Sequence, residues 1–111
     1  MNPQMFSVLS EQNRLDIVEL LYQHPQSVNE IVDRLQLHQP QVSKHLKVLS
    51  DAGIVAIYPD KNKRIYALKP EPFKELDKWL EKYRKMWEDR FDRLDKLLKK
   101  GVKKNGRSKS K

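Results

Sequence analysis

The side chains best equipped for chemistry lie between Gln39 and Lys47, in the run QPQVSKHLK. Gln39 and Gln41 carry carboxamides, which donate and accept at once and can pair with both N6 and N7 of an adenine. Ser43 offers a hydroxyl, and Lys44 and Lys47 bring the point charges that suit phosphate oxygens. A second basic cluster, Lys61, Lys63 and Arg64, follows within a Pro-Asp-Lys-Asn-Lys turn segment.

Other chemistries lack their parts. The 111 residues contain no cysteine, which removes disulfides, thiolate metal sites, thiol redox sensing and a Cys nucleophile. His24, His38 and His45 show no ligand spacing, so neither a metal nor another cofactor is expected. Three glycines, two of them in or beside the C-terminal basic run, leave no phosphate-cradling loop. With no nucleophile beside a base and no convergent acid pair, the chain does not read as an enzyme. No apolar run approaches the roughly 18 residues of a membrane span, and no signal-peptide core is present, so a cytoplasmic protein without membrane contact is expected.

The elements that must position the polar run can be read around it. Ser27 and Glu30 form a capping-box signature, and Val28, Ile31, Val32 and Leu35 follow at helical spacing. Gln36 to Gln39 breaks that pattern, and Pro40 fits the first turn of a second helix. On it Val42, Leu46 and Leu49 repeat at i, i+4 and i+7, which makes one buried stripe and turns Gln39, Gln41, Ser43, Lys44 and Lys47 away from the core. Gly53 supplies the left-handed C-terminal cap. A helix-turn-helix needs this division, because its second helix enters the major groove by its first turns.

Before this motif, Asn2-Pro3 and Ser10 to Asn13 read as two helix starts, and Leu15, Ile17, Val18, Leu20, Leu21 and Tyr22 predict a core helix that ends at His24-Pro25-Gln26. After Gly53 the apolar period changes to 2, predicting strands over Ile54–Tyr58 and Arg64–Leu68 joined by a loop over Pro59–Lys63. Such a basic-tipped hairpin is the wing of a winged helix. Lys69 to Pro72 reads as a stiff connector, and Phe73 to Leu98 as one helix about 40 Å long. Its stripe of Leu76, Leu80, Tyr83, Trp87, Phe91 and Leu94 is longer than a domain this size can cover. A twofold homodimer through this helix and the first one, with Phe6 in the seam, is therefore expected.

The net charge of +8 is unevenly spread. Residues 99–111 hold seven basic side chains and no acid, and read as a disordered basic tail. Residues 39–69 hold six basic and two acidic side chains, a local excess on the second helix of the motif and the hairpin. The domain reading is thus a winged helix-turn-helix over 1–98, including a dimerisation helix over about 72–98, and a tail over 99–111. The fold class is mainly α with a small β-hairpin.

The stretches LSEQNRLDIVELL, LQLHQPQVSKHLKVLSDAGIV and RIYALKP make the chain resemble the ArsR family of winged-helix repressors over nearly all of residues 5 to 70. The resemblance implies a homodimer that binds double-stranded DNA at a palindromic operator and represses its own or a neighbouring operon. It also implies that Gln39, Gln41, Ser43, Lys44 and His45 are recognition-helix contacts, with Lys44, Lys47, Lys61, Lys63 and Arg64 better placed for phosphates. His38 stands where the family commonly has a Ser N-cap, which predicts a weaker cap. Metal-responsive members carry Cys-x-Cys where Ser27 and Asn29 stand here, or Asp and His on the last helix, and residues 72–98 contain no His. A repressor that does not sense metal is expected, with a small-molecule effector near Tyr83 and Trp87 as one route to induction. The rival is a winged helix that binds protein instead of DNA.

Overall fold

The structure is a computed structural model and describes residues 3–105. In chain order it contains α1 (Pro3–Leu9), α2 (Gln12–Gln23), β1 (Gln26–Ser27), α3 (Val28–Leu35), α4 (Gln39–Asp51), β2 (Val55–Asp60), β3 (Lys63–Leu68) and α5 (Pro70–Asn105). It divides into two compact units after Glu75, so α5 begins in the first and supplies the described part of the second.

In the first unit α2 packs against α1, α3, α4 and β3. Ile17, Ile31, Val42, Leu46, Leu49 and Ile54 are fully buried, and Met5, Val8, Val18, Leu21, Val55 and Tyr66 nearly so. The apolar surface of α2 is narrower than its sequence suggests: Ile17, Val18 and Leu21 face the core, whereas Leu15 and Tyr22 are exposed. The sheet has three antiparallel strands in the order β1-β3-β2, not a lone hairpin. Gln26, read from sequence as part of a helix end, and Ser27, read as a helix cap, also pair with Tyr66 and Ile65. Gln26 is fully buried and its Nε2 donates to Leu20 O at 2.8 Å, so it ties the end of α2 to the sheet. A two-residue strand leaves no alternation to detect, which is why no strand is legible there.

The hairpin also runs further than its composition indicates. β2 and β3 pair from Val55↔Leu68 to Asp60↔Lys63, leaving only Lys61 and Asn62 as the turn. Pro59 and Asp60 lie near the tip of the ladder, where a missing donor or a charge is tolerated.

Two expectations about α5 need correction. Lys69 to Pro72 is not a connector: α5 begins at Pro70, and both prolines occupy its first turn, where backbone N–H groups have no intrahelical partner to lose. Nor does the tail begin at Lys99, because the helix continues to Asn105. Each added residue there extends an existing ladder, Lys99 pairs with Asp95 at 3.2 Å, and cations near a helix C-terminus are favoured. The rest of the expected tail, residues 106–111, lies outside the described residues. The 36 residues of α5 make it about 54 Å long. Leu80, Tyr83, Met86, Trp87, Phe91, Leu94, Leu97 and Leu98 along it are all exposed in the single chain. No helix among the described residues is long and apolar enough to cross a membrane.

Candidate nucleic-acid interface

The frame of the candidate site is α3, a short turn and α4. Ser27 caps α3 reciprocally: Glu30 N–H donates to Ser27 Oγ at 3.3 Å, and Ser27 N–H donates to Glu30 Oε1 at 2.8 Å. That backbone donor is the main reason the Glu30 carboxyl lies below its ordinary pKa. Gln36 ends the helix in the left-handed region at φ 57°, with its N–H donating to Val32 O. The turn to α4 is therefore set by local hydrogen bonds at both ends.

At the start of α4, His38 is the extended N-cap residue. Its N–H donates to Gln41 Oε1 at 3.1 Å, so Gln41 closes the cap from the third helical position and offsets the loss of a Ser cap. At the other end, Ile54 N–H donates to Leu49 O and Gly53 N–H to Ser50 O, each at 3.0 Å, with Gly53 at φ 77°. Both bonds of a Schellman motif are present, and its apolar pair is Leu49 with Ile54, both fully buried.

With Val42, Leu46 and Leu49 fixed inward, the helical period distributes the other side chains. Lys44 and Lys47 stand opposite the buried stripe and are exposed. Gln39 and Ser43, four apart, share one flank, and Ser43 there lines a cleft against the wing. Gln41 and His45 share the other flank, towards α2. The two glutamines are exposed but do not face the same way, since residues two apart in a helix diverge. His45 is half-buried, with Nδ1 3.4 Å from Arg14 Nη1, while Arg14 Nε donates to Val8 O at 2.7 Å. A guanidinium has no acceptor, so Nδ1 accepts. The structure thus draws His45 from the outward face into the joint of α1, α2 and α4. Glu11 caps α2 by accepting from Arg14 N–H at 3.0 Å, and this bond holds its carboxyl below the ordinary pKa.

Lys61, Lys63 and Arg64 are exposed at the hairpin tip, with Lys61 at φ 60°. Within the first unit Lys47 of the helix-turn-helix and Arg64 of the hairpin line one cleft. Asp51, unremarked by sequence reasoning, pairs with Lys47 at 3.4 Å on the outward face of α4. The signal that could have revealed it was the i, i+4 spacing of the two charges.

Four helices, the last two forming a helix-turn-helix, followed by a two-stranded wing and a long terminal helix, define a winged helix-turn-helix protein. Residues 11–56 match the family described as "Bacterial regulatory protein, arsR family". Rv2034, an HTH-type transcriptional regulator of Mycobacterium tuberculosis, is 38% identical over 65 residues, which cover 59% of this chain and 61% of that protein. The arsenical resistance operon repressor of Staphylococcus xylosus is 33% identical over 67 residues, covering 60% and 64%. The match therefore spans less than two thirds of either relative. The crystal structure of an ArsR family transcriptional regulator superposes with a TM-score of 0.65 at 26% identity, covering 75% of this chain and 91% of that one. Over residues 11–56 the chain thus carries an ArsR-type helix-turn-helix domain, and the relatives it matches are transcriptional regulators.

Proposed function

We propose that this protein is a homodimeric, sequence-specific DNA-binding repressor of its own or a neighbouring operon, acting on a palindromic operator without a metal cofactor. One observation carries the reading. α4 exposes Gln39, Gln41, Ser43, Lys44 and Lys47 around its side away from the core, and Arg64 of the basic hairpin lines a cleft with Ser43 and Lys47. Gln39 is the better base reader of the two glutamines, because its carboxamide is not engaged in the cap. Lys44, Lys47, Lys61, Lys63 and Arg64 take phosphates, which fixes register on the duplex without reading sequence. Two such heads related by a twofold axis would enter successive major grooves about 34 Å apart and exclude polymerase from the occupied site.

The dimer is supported by the exposed apolar stripe of α5, with Leu80 42%, Trp87 45%, Phe91 61% and Leu94 50% exposed in the single chain. The half-buried Leu76 and exposed Tyr83 continue it, and Phe6 on α1, 47% exposed, would join the same seam. Metal independence is supported by donor chemistry, since the chain has no cysteine and α5 has no histidine. We assign relief of repression to a small apolar ligand entering the concavity of about 620 Å³ framed by Trp79, Leu80, Tyr83, Arg84, Trp87 and Phe91.

The test is a mobility shift against the DNA upstream of the coding region at two salt concentrations. Specific retention that weakens with salt supports the repressor, and Lys63→Ala should then weaken all sequences alike and lower the salt slope by about 1. Absence of retention at low salt would favour a protein-binding winged helix.

A further inference from the structure

Between α4 and the wing lies a cleft of about 350 Å³, lined by Ser43, Lys47, Ser50 and Asp51 from the helix and by Arg64 and Tyr66 from β3. The periods of the two elements bring these residues together. Ser43, Lys47 and Ser50 follow at i, i+4 and i+7 on one side of α4, while Arg64 and Tyr66, two apart on a strand, point to the same face of the sheet. Tyr66 is a core residue, 7% exposed. Yet its side chain also lines this cleft, opposite Ser43 and Lys47. The cleft thus offers hydroxyl donors from two elements and two cations, Lys47 and Arg64, against one carboxylate, Asp51.

We propose that this cleft seats a single backbone phosphate of the bound duplex, gripped by Lys47 from the helix and Arg64 from the wing, with the Tyr66 hydroxyl donating to a phosphate oxygen. The proposal rests on the DNA-binding reading above. A strand passing from the recognition helix to the wing crosses this cleft, because the two elements form its walls. Its charge suits a phosphodiester: two cations and one carboxylate leave one positive charge for a group with one negative charge. A free phosphate ion, closer to two negative charges at neutral pH, is matched less well and meets Asp51 besides. Before DNA arrives, Lys47 rests on Asp51 at 3.4 Å with side chains 77% and 66% exposed. A pair so exposed is weakly held, and Lys47 can turn from it to the phosphate.

Tyr66→Phe tests this, since it deletes one hydroxyl and leaves the core ring in place. On a short duplex carrying the retained upstream sequence, the variant should bind about tenfold more weakly with an unchanged salt slope, because a neutral donor releases no counterion. Arg64→Ala should instead lower the slope by about 1. Replacing phosphates one at a time by neutral methylphosphonates should reveal one linkage per half-site whose replacement weakens the wild type several-fold more than it weakens Tyr66→Phe, in which only the Lys47 and Arg64 contacts remain to be lost. If the wild type binds and Tyr66→Phe binds equally well, or no linkage shows this coupling, the cleft proposal is overturned while the repressor reading stands. If the wild type binds no duplex, both fall. Stabilisation of the wild type, but not of Tyr66→Phe, by inorganic phosphate at constant ionic strength would mark a free-anion site and overturn the duplex assignment.

Discussion

Gln41 serves two ends of one side chain. Its Oε1 accepts from His38 N–H in the free protein, and only its Nε2 remains for a base, so bidentate pairing with adenine requires the cap bond to open. Gln41→Glu separates the roles. A carboxylate at this position keeps the cap acceptor, so thermal unfolding should be unchanged or higher, whereas operator affinity should collapse beside the DNA phosphates. Gln41→Ala should lose both, with a cost of about 1–3 kcal/mol on the operator in a binding titration. Equal binding by wild type and both variants would remove Gln41 from the interface. Glu30 is a purely structural counterpart. Its carboxyl is held below the ordinary range by the Ser27 N–H, so its contribution is present above the ordinary carboxylate value. That contribution is lost as pH falls through the ordinary value towards the lowered one. Urea unfolding across that acid range should show a shallower decline in Glu30→Gln than in the wild type.

At the scale of elements, the orientation of α4 depends on how it ends as much as on how it begins. Gly53 sits at φ 77° with open space where a Cβ would stand, so Gly53→Ala meets no clash and pays only for the left-handed backbone. The expected loss is about 1–2 kcal/mol in denaturant unfolding, with sequence preference on DNA retained once the protein is folded. A larger loss would mean that Ile54, buried beside Leu49, moves as well. The helix-turn-helix was legible because its signals are local: the Ser27–Glu30 box, Pro40 near a helix start, Gly53 past an end. The third strand and the two-residue turn were not, because Gln26 and Asp60 are poor strand formers whose place is decided by their partners Tyr66 and Lys63.

For the whole molecule, the exposed aromatic stripe of α5 is the feature a single chain leaves unexplained. Trp87 stacks on Phe91 at 5.6 Å between ring centroids, and the Arg90 guanidinium lies 5.4 Å from the Trp87 ring, yet both rings remain largely open to solvent. Trp87→Asp should give a monomer by sedimentation with the first unit's core still folded, and should abolish operator binding, because one head alone lacks the paired half-site contacts. A variant that stays dimeric would move the seam elsewhere.

Residue order alone determined the helix-turn-helix, its Ser27–Glu30 and Gly53 caps, the inward stripe of Val42, Leu46 and Leu49, and the absence of thiol chemistry. Each of these depends on neighbours a few positions apart or on composition. Tertiary structure decided that Gln26 is a buried strand residue, that His45 turns to Arg14, and that Ser43, Lys47, Arg64 and Tyr66 line one cleft. Those outcomes join residues from about 20 to more than 30 positions apart, and no local pattern encodes which side chains the packing of a helix on a sheet will bring face to face.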